Sequence, residues 1–469
     1  MQFLGRSHWL LLIAASGGMF LSSLDFSVNV GLPNIANDLE EGLQPIYLII
    51  TVYIGATASL QLVAGRVADL YGLRRVYLVG LVIYGFAMFM IASAPALESV
   101  LAYRWVQAIA NAIFLATSPA LITAVFPARM RGTALGMMTA IGMGGMIVGS
   151  LGAGFIIDTY GWRSIFLGRL PLAVLALLLA VHGLPVLKPD RRGGLDWISV
   201  ALLVTGFPAL LLIFALAQQL GWSNSYTVSM CILTLVMGYG LVRRQQHAEA
   251  PLLDPVILRS SRVVLGLSAN FFLYLSVFVC WFILPFFVSE IVGAGATVIG
   301  LLLALPAVCL VVSSPIGGIL ADRNDPALVS TSGLILVVFG LVSFVFCDHQ
   351  TQVFDIAVRM AVLGIGMGVF QSSNLSQVMG EMSSSALGMG GALAGLSRNL
   401  GAMSSVAVLG TLFAVLQELS SGAPADPSAA YIHAFRISYA VAAALALAGT
   451  AAAIWPWLSL GYRNRSGSE

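Results

Sequence analysis

Charge is scarce in this sequence. Asp, Glu, Lys and Arg make up 9% of its 469 residues, against about a quarter in ordinary soluble domains, which excludes a water-covered globule of the usual kind. What charge there is nearly cancels: 22 Lys and Arg against 20 Asp and Glu give a formal net charge of +2, too little to favour nucleic acid or a strongly acidic partner. Cysteine is also rare. Cys231, Cys280, Cys309 and Cys347 fall in or beside apolar runs without ligand-like spacing, so they read as packed thiols rather than a metal site or a disulfide framework. No Gly-x-x-x-x-Gly-Lys-Ser/Thr loop, His-Glu-x-x-His or Gly-x-Ser-x-Gly is present. ATP-driven pumping and familiar hydrolysis therefore lack support, and no enzyme activity, cofactor or metal is expected.

What is abundant is apolar sequence, 59% hydrophobic with a mean hydropathy of +0.95. Runs long enough to span a bilayer recur at 8–33, 45–68, 76–94, 97–125, 131–157 and 163–183. After the polar break KPDRRGG come two more, 196–217 and 226–242, and after a charged link six further, 262–289, 297–320, 328–346, 351–378, 386–417 and 432–457. The first run continues through Asp25 to Pro33 with no A-x-A cleavage pattern, so it reads as a span rather than a signal peptide. The expectation is an all-α polytopic membrane protein of fourteen helices: a bundle in 1–187, a linker with two inserted helices in 188–250, and a second bundle in 251–469.

Basic residues support this register. With the N-terminus inside, 16 of the 22 Lys and Arg fall on the cytoplasmic side, Arg66, Arg74, Arg75, Arg129, Arg131, Arg243, Arg262 and Arg323 among them. A miscount of one helix would scramble that alternation, so both termini are expected in the cytoplasm. The six others, Arg104, Arg163, Arg169, Arg359, Arg398 and Arg436, lie within spans or on the outer side.

The two bundles look like copies. GRVADLYG (65–72) ends the second run and GILADRND (318–325) the tenth, each with Gly-x-x-x-Asp; Arg104 opens the fourth and Arg359 the twelfth; ALG recurs at 134–136 and 386–388. On these residues the chain resembles the fourteen-helix drug/proton antiporter branch of the major facilitator superfamily. LDFSVNVGLP (24–33) is similar to that branch's first-helix motif and GRVADLYGLRR to the superfamily loop signature. RWVQAIAN (104–111) resembles the RxxQG element, and GMMTAIGMGGMIVGSLGAG from Gly136 the antiporter glycine motif. There are departures: Leu70 and Leu73 replace basic residues of the loop signature, Ala108 replaces Gly, and Ser150 and Ala153 replace Pro and Gly in the glycine motif.

Asp25 is the residue to explain, because an acid inside a membrane helix costs about 2.5–3.5 kcal/mol. Asp25 and Arg104 each lie seven or eight residues from the outer end of their run. At 1.5 Å per residue both sit roughly 10–12 Å deep and can meet. A carboxylate beside an arginine in a dry site can take and release a proton, so Asp25 and Arg104 are the expected proton-coupling pair, driven by the proton gradient; a fixed ion pair that orients two helices is the alternative.

The resemblance implies a cytoplasmic gate made by Gly65, Asp69, Gly72, Arg74 and Arg75, with Asp69 reaching the N-terminus of the eleventh helix and Arg129 or Arg131, and Asp322 as the repeat's counterpart. It also implies a moving seam at Gly136, Gly145, Gly149 and Gly154. It places Asn29, Gln61, Gln107, Asn111, Tyr274, Trp281, Gln371, Asn374 and Arg398 around a central cavity as substrate-binding candidates. Asp355 and Arg359 have the i,i+4 spacing to satisfy each other. The implied function is export of amphipathic small molecules, lipophilic cations foremost, by a monomer in the lipid bilayer of a bacterial inner membrane. The embedded arginines outnumber the acids, which argues for an anionic or zwitterionic cargo, and a non-transporting sensor on the same fold is a further alternative.

Overall fold

The computed structural model describes residues 6–40, 43–187, 194–220, 224–247, 257–421 and 427–466. Among these, every regular element is a helix. Twelve helices are long and apolar enough to cross a membrane, and two shorter apolar helices, His8–Ser23 and Trp197–Gly206, lie in the predicted runs 8–33 and 196–217. The chain divides into two compact units, one made of Met1–Val125, Gly144–Arg259 and Met382–Leu396, the other of Phe126–Met143, Ser260–Glu381 and Ser397–Glu469.

In the first unit the opening span is not one continuous helix. The helix Arg6–Ser23 stops, Leu24 and Asp25 form a turn, and a new helix runs Phe26–Asp38. No Pro or Gly causes the break. At the turn the ladder tightens, with the Asp25 N–H on Ser22 O at 3.3 Å and the Ser27 N–H on Leu24 O at 3.0 Å, and side chains from other helices bond carbonyls beside it: Tyr84 Oη donates to Leu21 O at 3.0 Å, and Arg169 Nη2 donates to Leu24 O at 3.0 Å. One turn earlier, Tyr77 Oη accepts from the Gly18 N–H at 2.7 Å and donates to Ala14 O at 2.8 Å. Both tyrosines come from the helix Leu73–Ala92, and Phe114 packs edge-on to Tyr77 with ring centroids 5.7 Å apart. Gly72 separates the helices Leu43–Tyr71 and Leu73–Ala92 at φ +100°, a backbone conformation that favours glycine.

The helices Trp197–Leu220 and Ser225–His247 are tied by Asp196, whose Oδ2 accepts from Arg244 Nε at 2.9 Å and from Ser199 Oγ at 2.8 Å. The Arg244 hydrogen bond, foremost, holds the Asp196 carboxyl below the usual carboxylate range. Its stabilisation is therefore full above pH about 4 and is lost as pH falls through the lowered folded-state value. Asp196→Ala should lower the thermal melting point at pH 7 by a small amount, worth at most about 1 kcal/mol because Arg244 is partly exposed, and the difference from the parent should shrink as the melt is repeated below pH 4.

The second unit is cored by stacked aromatics: Phe287 on Phe435 and Phe435 on Tyr439, each with centroids 4.4 Å apart, with Phe344 on Tyr439 at 4.8 Å. The expected Asp355–Arg359 pair is not formed. Asp355 sits in the first turn of the helix Val353–Gly380, and its Oδ2 accepts from the Gln352 backbone N–H at 3.0 Å, closing a capping box. Arg359 turns instead to Cys347 Sγ at 2.9 Å and to the Phe344 ring.

Candidate functional site

Asp25 lies in the turn between the two halves of the first span, 9% exposed. Its Oδ2 accepts from Arg104 Nη1 at 2.9 Å. Its Oδ1 accepts from Arg169 Nη1 at 2.6 Å and from Gln107 Nε2 at 2.9 Å. The expected partnership with Arg104 is present, and a second arginine joins it from the start of the helix Arg169–Gly183. Arg104 and Arg169 are buried, and Phe166 lies under both guanidiniums. Tyr53 faces Arg104, 4.9 Å from ring centroid to Cζ. A carboxylate accepting on both oxygens is in its ionised form, so two cations around one anion give the cluster a net charge of +1. Among the described residues, the buried Arg104 Nε–H and Tyr53 hydroxyl have no hydrogen-bond partner.

Arg169 was legible as an embedded cation, but nothing in the sequence gave it a partner. Its run opens beside the outer surface, where an arginine reads as an interface charge. Its grip on Leu24 O exists because the helix breaks there.

The candidates divide as follows. Gln107 belongs to the Asp25 cluster and also hydrogen-bonds Arg104. Asn111, one turn on, bonds Thr57 Oγ1 at 3.2 Å and accepts from Ser22 Oγ. Gln61 is buried against Gly395. In the second unit Gln371 Nε2 donates to Tyr274 Oη at 2.6 Å, and Arg398 lies against the same hydroxyl. Asn374 Nδ2 donates to Gly266 O at 3.0 Å, tying two helices together, and Trp281 stacks on Phe278 at 5.9 Å. Asn29 and Gly154 lie outside the residues whose side chains are described.

The two Gly-x-x-x-Asp signatures take the same form. Asp69 accepts from the backbone N–H groups of Gly388 at 2.7 Å and Met389 at 3.0 Å, the second and third residues of the helix Leu387–Ser405. Asp322 accepts from Gly132 and Thr133, both at 2.7 Å, the second and third residues of the helix Arg131–Tyr160. An anion on free N–H groups at a helix start satisfies donors that have no intrahelical acceptor. The glycine of each signature faces the same helix start: a Cβ on Gly65 would lie 2.7 Å from Gly388 O, and a Cβ on Gly318 would collide with Gly132 O. The helix expected to receive Asp69 is thus corrected from the eleventh run, 328–346, to the helix Leu387–Ser405 in the run 386–417. Arg129 is exposed, and Arg131 Nε donates to Phe126 O at 3.3 Å. Arg74 bonds Val181 O at 2.6 Å and Arg75 is exposed. In the glycine motif, Gly136 abuts Ser314 O, and Gly145 and Gly149 abut Phe20 O and Leu24 O, while Gly144 and Gly152 face open space.

Helices of membrane-crossing length, a charged cluster held deep inside them and repeated helix-start clasps define a multi-pass membrane carrier. The chain belongs to the Major Facilitator Superfamily, whose profile matches residues 15–403. Among curated proteins it is 25% identical to the riboflavin transporter RibZ of Clostridioides difficile, over 95% of this chain and 96% of that one. It is 27% identical to the multidrug resistance protein Stp of Mycobacterium tuberculosis, over 88% of this chain and 77% of that one. It is 26% identical to the methylenomycin A resistance protein of Bacillus subtilis, over 86% and 87%. Of solved structures, the human organic anion transporter MFSD10 matches with a TM-score of 0.63 at 15% identity, covering 96% of this chain and 100% of that one. The proton:xylose symporter XylE matches with a TM-score of 0.62 at 14% identity, covering 96% and 95%. These two show the fold. The relatives and structural neighbours are transporters, not enzymes.

Proposed function

We propose that this protein is a proton-coupled exporter of amphipathic organic compounds, working by alternating access in a bacterial inner membrane with both termini in the cytoplasm. The carrying observation is the buried Asp25 cluster: one carboxylate bridging arginines from two other helices, whose net charge of +1 changes when a single proton arrives. A proton on Asp25 removes an acceptor from both guanidiniums at once, which gives the cluster two arrangements to move between. The multidrug and antibiotic resistance proteins among its relatives support efflux as the direction. In this reading the protein is a monomer of fourteen spans, with bundles in 1–187 and 251–469 flanking two inserted helices, and the Asp69 and Asp322 clasps are its gates.

Everted membrane vesicles test this directly. With an inside-acid pH gradient they should accumulate an amphipathic dye only when the protein is present, and a protonophore should release it. Accumulation unaffected by collapse of the gradient would remove proton coupling from the reading.

A further inference from the structure

The buried carboxylates among the described residues are Asp25, Asp69 and Asp196, and each is already committed, to two arginines, to two backbone N–H groups, and to Arg244 respectively. A lipophilic cation would therefore have to displace an existing partner of one of them. The second unit has the opposite chemistry. Arg398 lies within the helix Leu387–Ser405, and among the described residues no carboxylate pairs with it. An intramembrane cation in that position needs an anion or a wet cavity.

Its surroundings are donors. The Tyr274 hydroxyl accepts from Gln371 Nε2 at 2.6 Å and faces the Arg398 guanidinium. A hydroxyl that accepts from such neighbours points its own hydrogen away from them, so it adds a further donor to the guanidinium edge. Backbone packing fixes the group: Asn270 Nδ2 bonds Ser397 Oγ at 2.7 Å beside Arg398, and Gly401, one turn on, lets the helix approach Tyr274 so closely that a Cβ there would lie 3.0 Å from Tyr274 Cβ. Arg398, Tyr274 and Gln371 are each partly exposed, with Phe271 on the same helix as Tyr274 also partly exposed as an apolar surface. The first unit leaves the same kind of group over, since the unpaired polar atoms of its cluster are the Arg104 Nε–H and the Tyr53 hydroxyl.

We propose that the exported compound is an amphipathic organic anion whose carboxylate or sulfonate is received by Arg398 and the Tyr274 hydroxyl, with Gln371 holding that hydroxyl in place. A planar guanidinium edge beside a hydroxyl donor matches the two or three oxygens of such a group, and the guanidinium would repel a cation there. The assignment of this anion as cargo rests on the export reading; its binding does not.

The test is equilibrium binding to the full-length protein in lipid nanodiscs, with tritiated 1-naphthylacetate as the anion and tritiated tetraphenylphosphonium as the cation. The parent should bind naphthylacetate saturably and in preference to the phosphonium. Arg398→Ala should weaken naphthylacetate about tenfold or more, Tyr274→Phe several-fold, and Arg398→Lys, which keeps the charge but not the planar fork, should restore only part of the loss. Arg398→Glu should reverse the preference toward tetraphenylphosphonium. Stronger binding of the phosphonium by the parent, no saturable binding of naphthylacetate, or naphthylacetate affinity unchanged in both Arg398→Ala and Tyr274→Phe would each overturn the proposal. Binding needs no gradient, so a parent that binds the anion through Arg398 but accumulates nothing in vesicles would count against export alone.

Discussion

Asp25→Asn should abolish proton-driven accumulation and destabilise the protein at the same time. The amide keeps the side chain's shape but has one acceptor oxygen where the carboxylate has two, and it carries no charge. Arg104 and Arg169 would then be buried cations facing each other without an anion. Removing one member of a buried ion pair typically costs about 3–5 kcal/mol, because the remaining charge has no water to replace its partner. Melting of the purified variant and vesicle transport should therefore both fall. The two effects separate in the double variant Asp25→Asn/Arg169→Leu, which removes one of the orphaned cations: it should recover much of the lost stability and still fail to couple. An Asp25→Asn protein that accumulates substrate against its gradient at the expense of protons would eliminate Asp25 as the carrier.

The second large effect is expected at Gly388. Any side chain there would put a Cβ 2.6 Å from Gly65 O and 2.8 Å from Asp69 Oδ1, so Gly388→Val drives apart the helix start and the carboxylate that satisfies it. Overpacking against backbone costs about 1–3 kcal/mol, and loss of an anion at a helix N-terminus adds about 0.3–1 kcal/mol. Gly152→Val is the control, since a Cβ at Gly152 meets nothing within 4 Å. Thermal melts of the two variants in detergent should differ by many degrees, with transport lost only in Gly388→Val. Equal shifts would mean that the clasp does not depend on close backbone approach.

The membrane class and most spans were legible because twenty-residue apolar runs have few other uses. Asp25 and Arg104 could be paired because both are rare in lipid and helical rise sets their depth from the sequence alone. That Asp69 would meet a helix start was legible, but which helix was not: backbone N–H groups have no residue type, so nothing in the sequence marks Gly388 and Met389 as its donors. The break at Leu24 was hidden for a related reason. LSSLDFS contains neither Pro nor Gly, and the side chains that bond the carbonyls at the break, Tyr84 and Arg169, lie 63 and 145 positions further along the chain. The partners of Arg398 became visible only when the helix Ser261–Val277 was placed beside its own.

Arg169 holds two things at once, the Asp25 carboxylate and the peptide carbonyl one residue before it. The carbonyl lies against Gly149, where a Cβ would come within 2.7 Å, so the elbow in the first span has little room to flex while the arginine stays. Neutralising Asp25 would slacken one of the two grips and leave the other to carry the hinge alone. In the proposed cycle, a proton arriving at Asp25 would then also change the stiffness of a joint, and the gradient would act on the backbone without passing through the cargo.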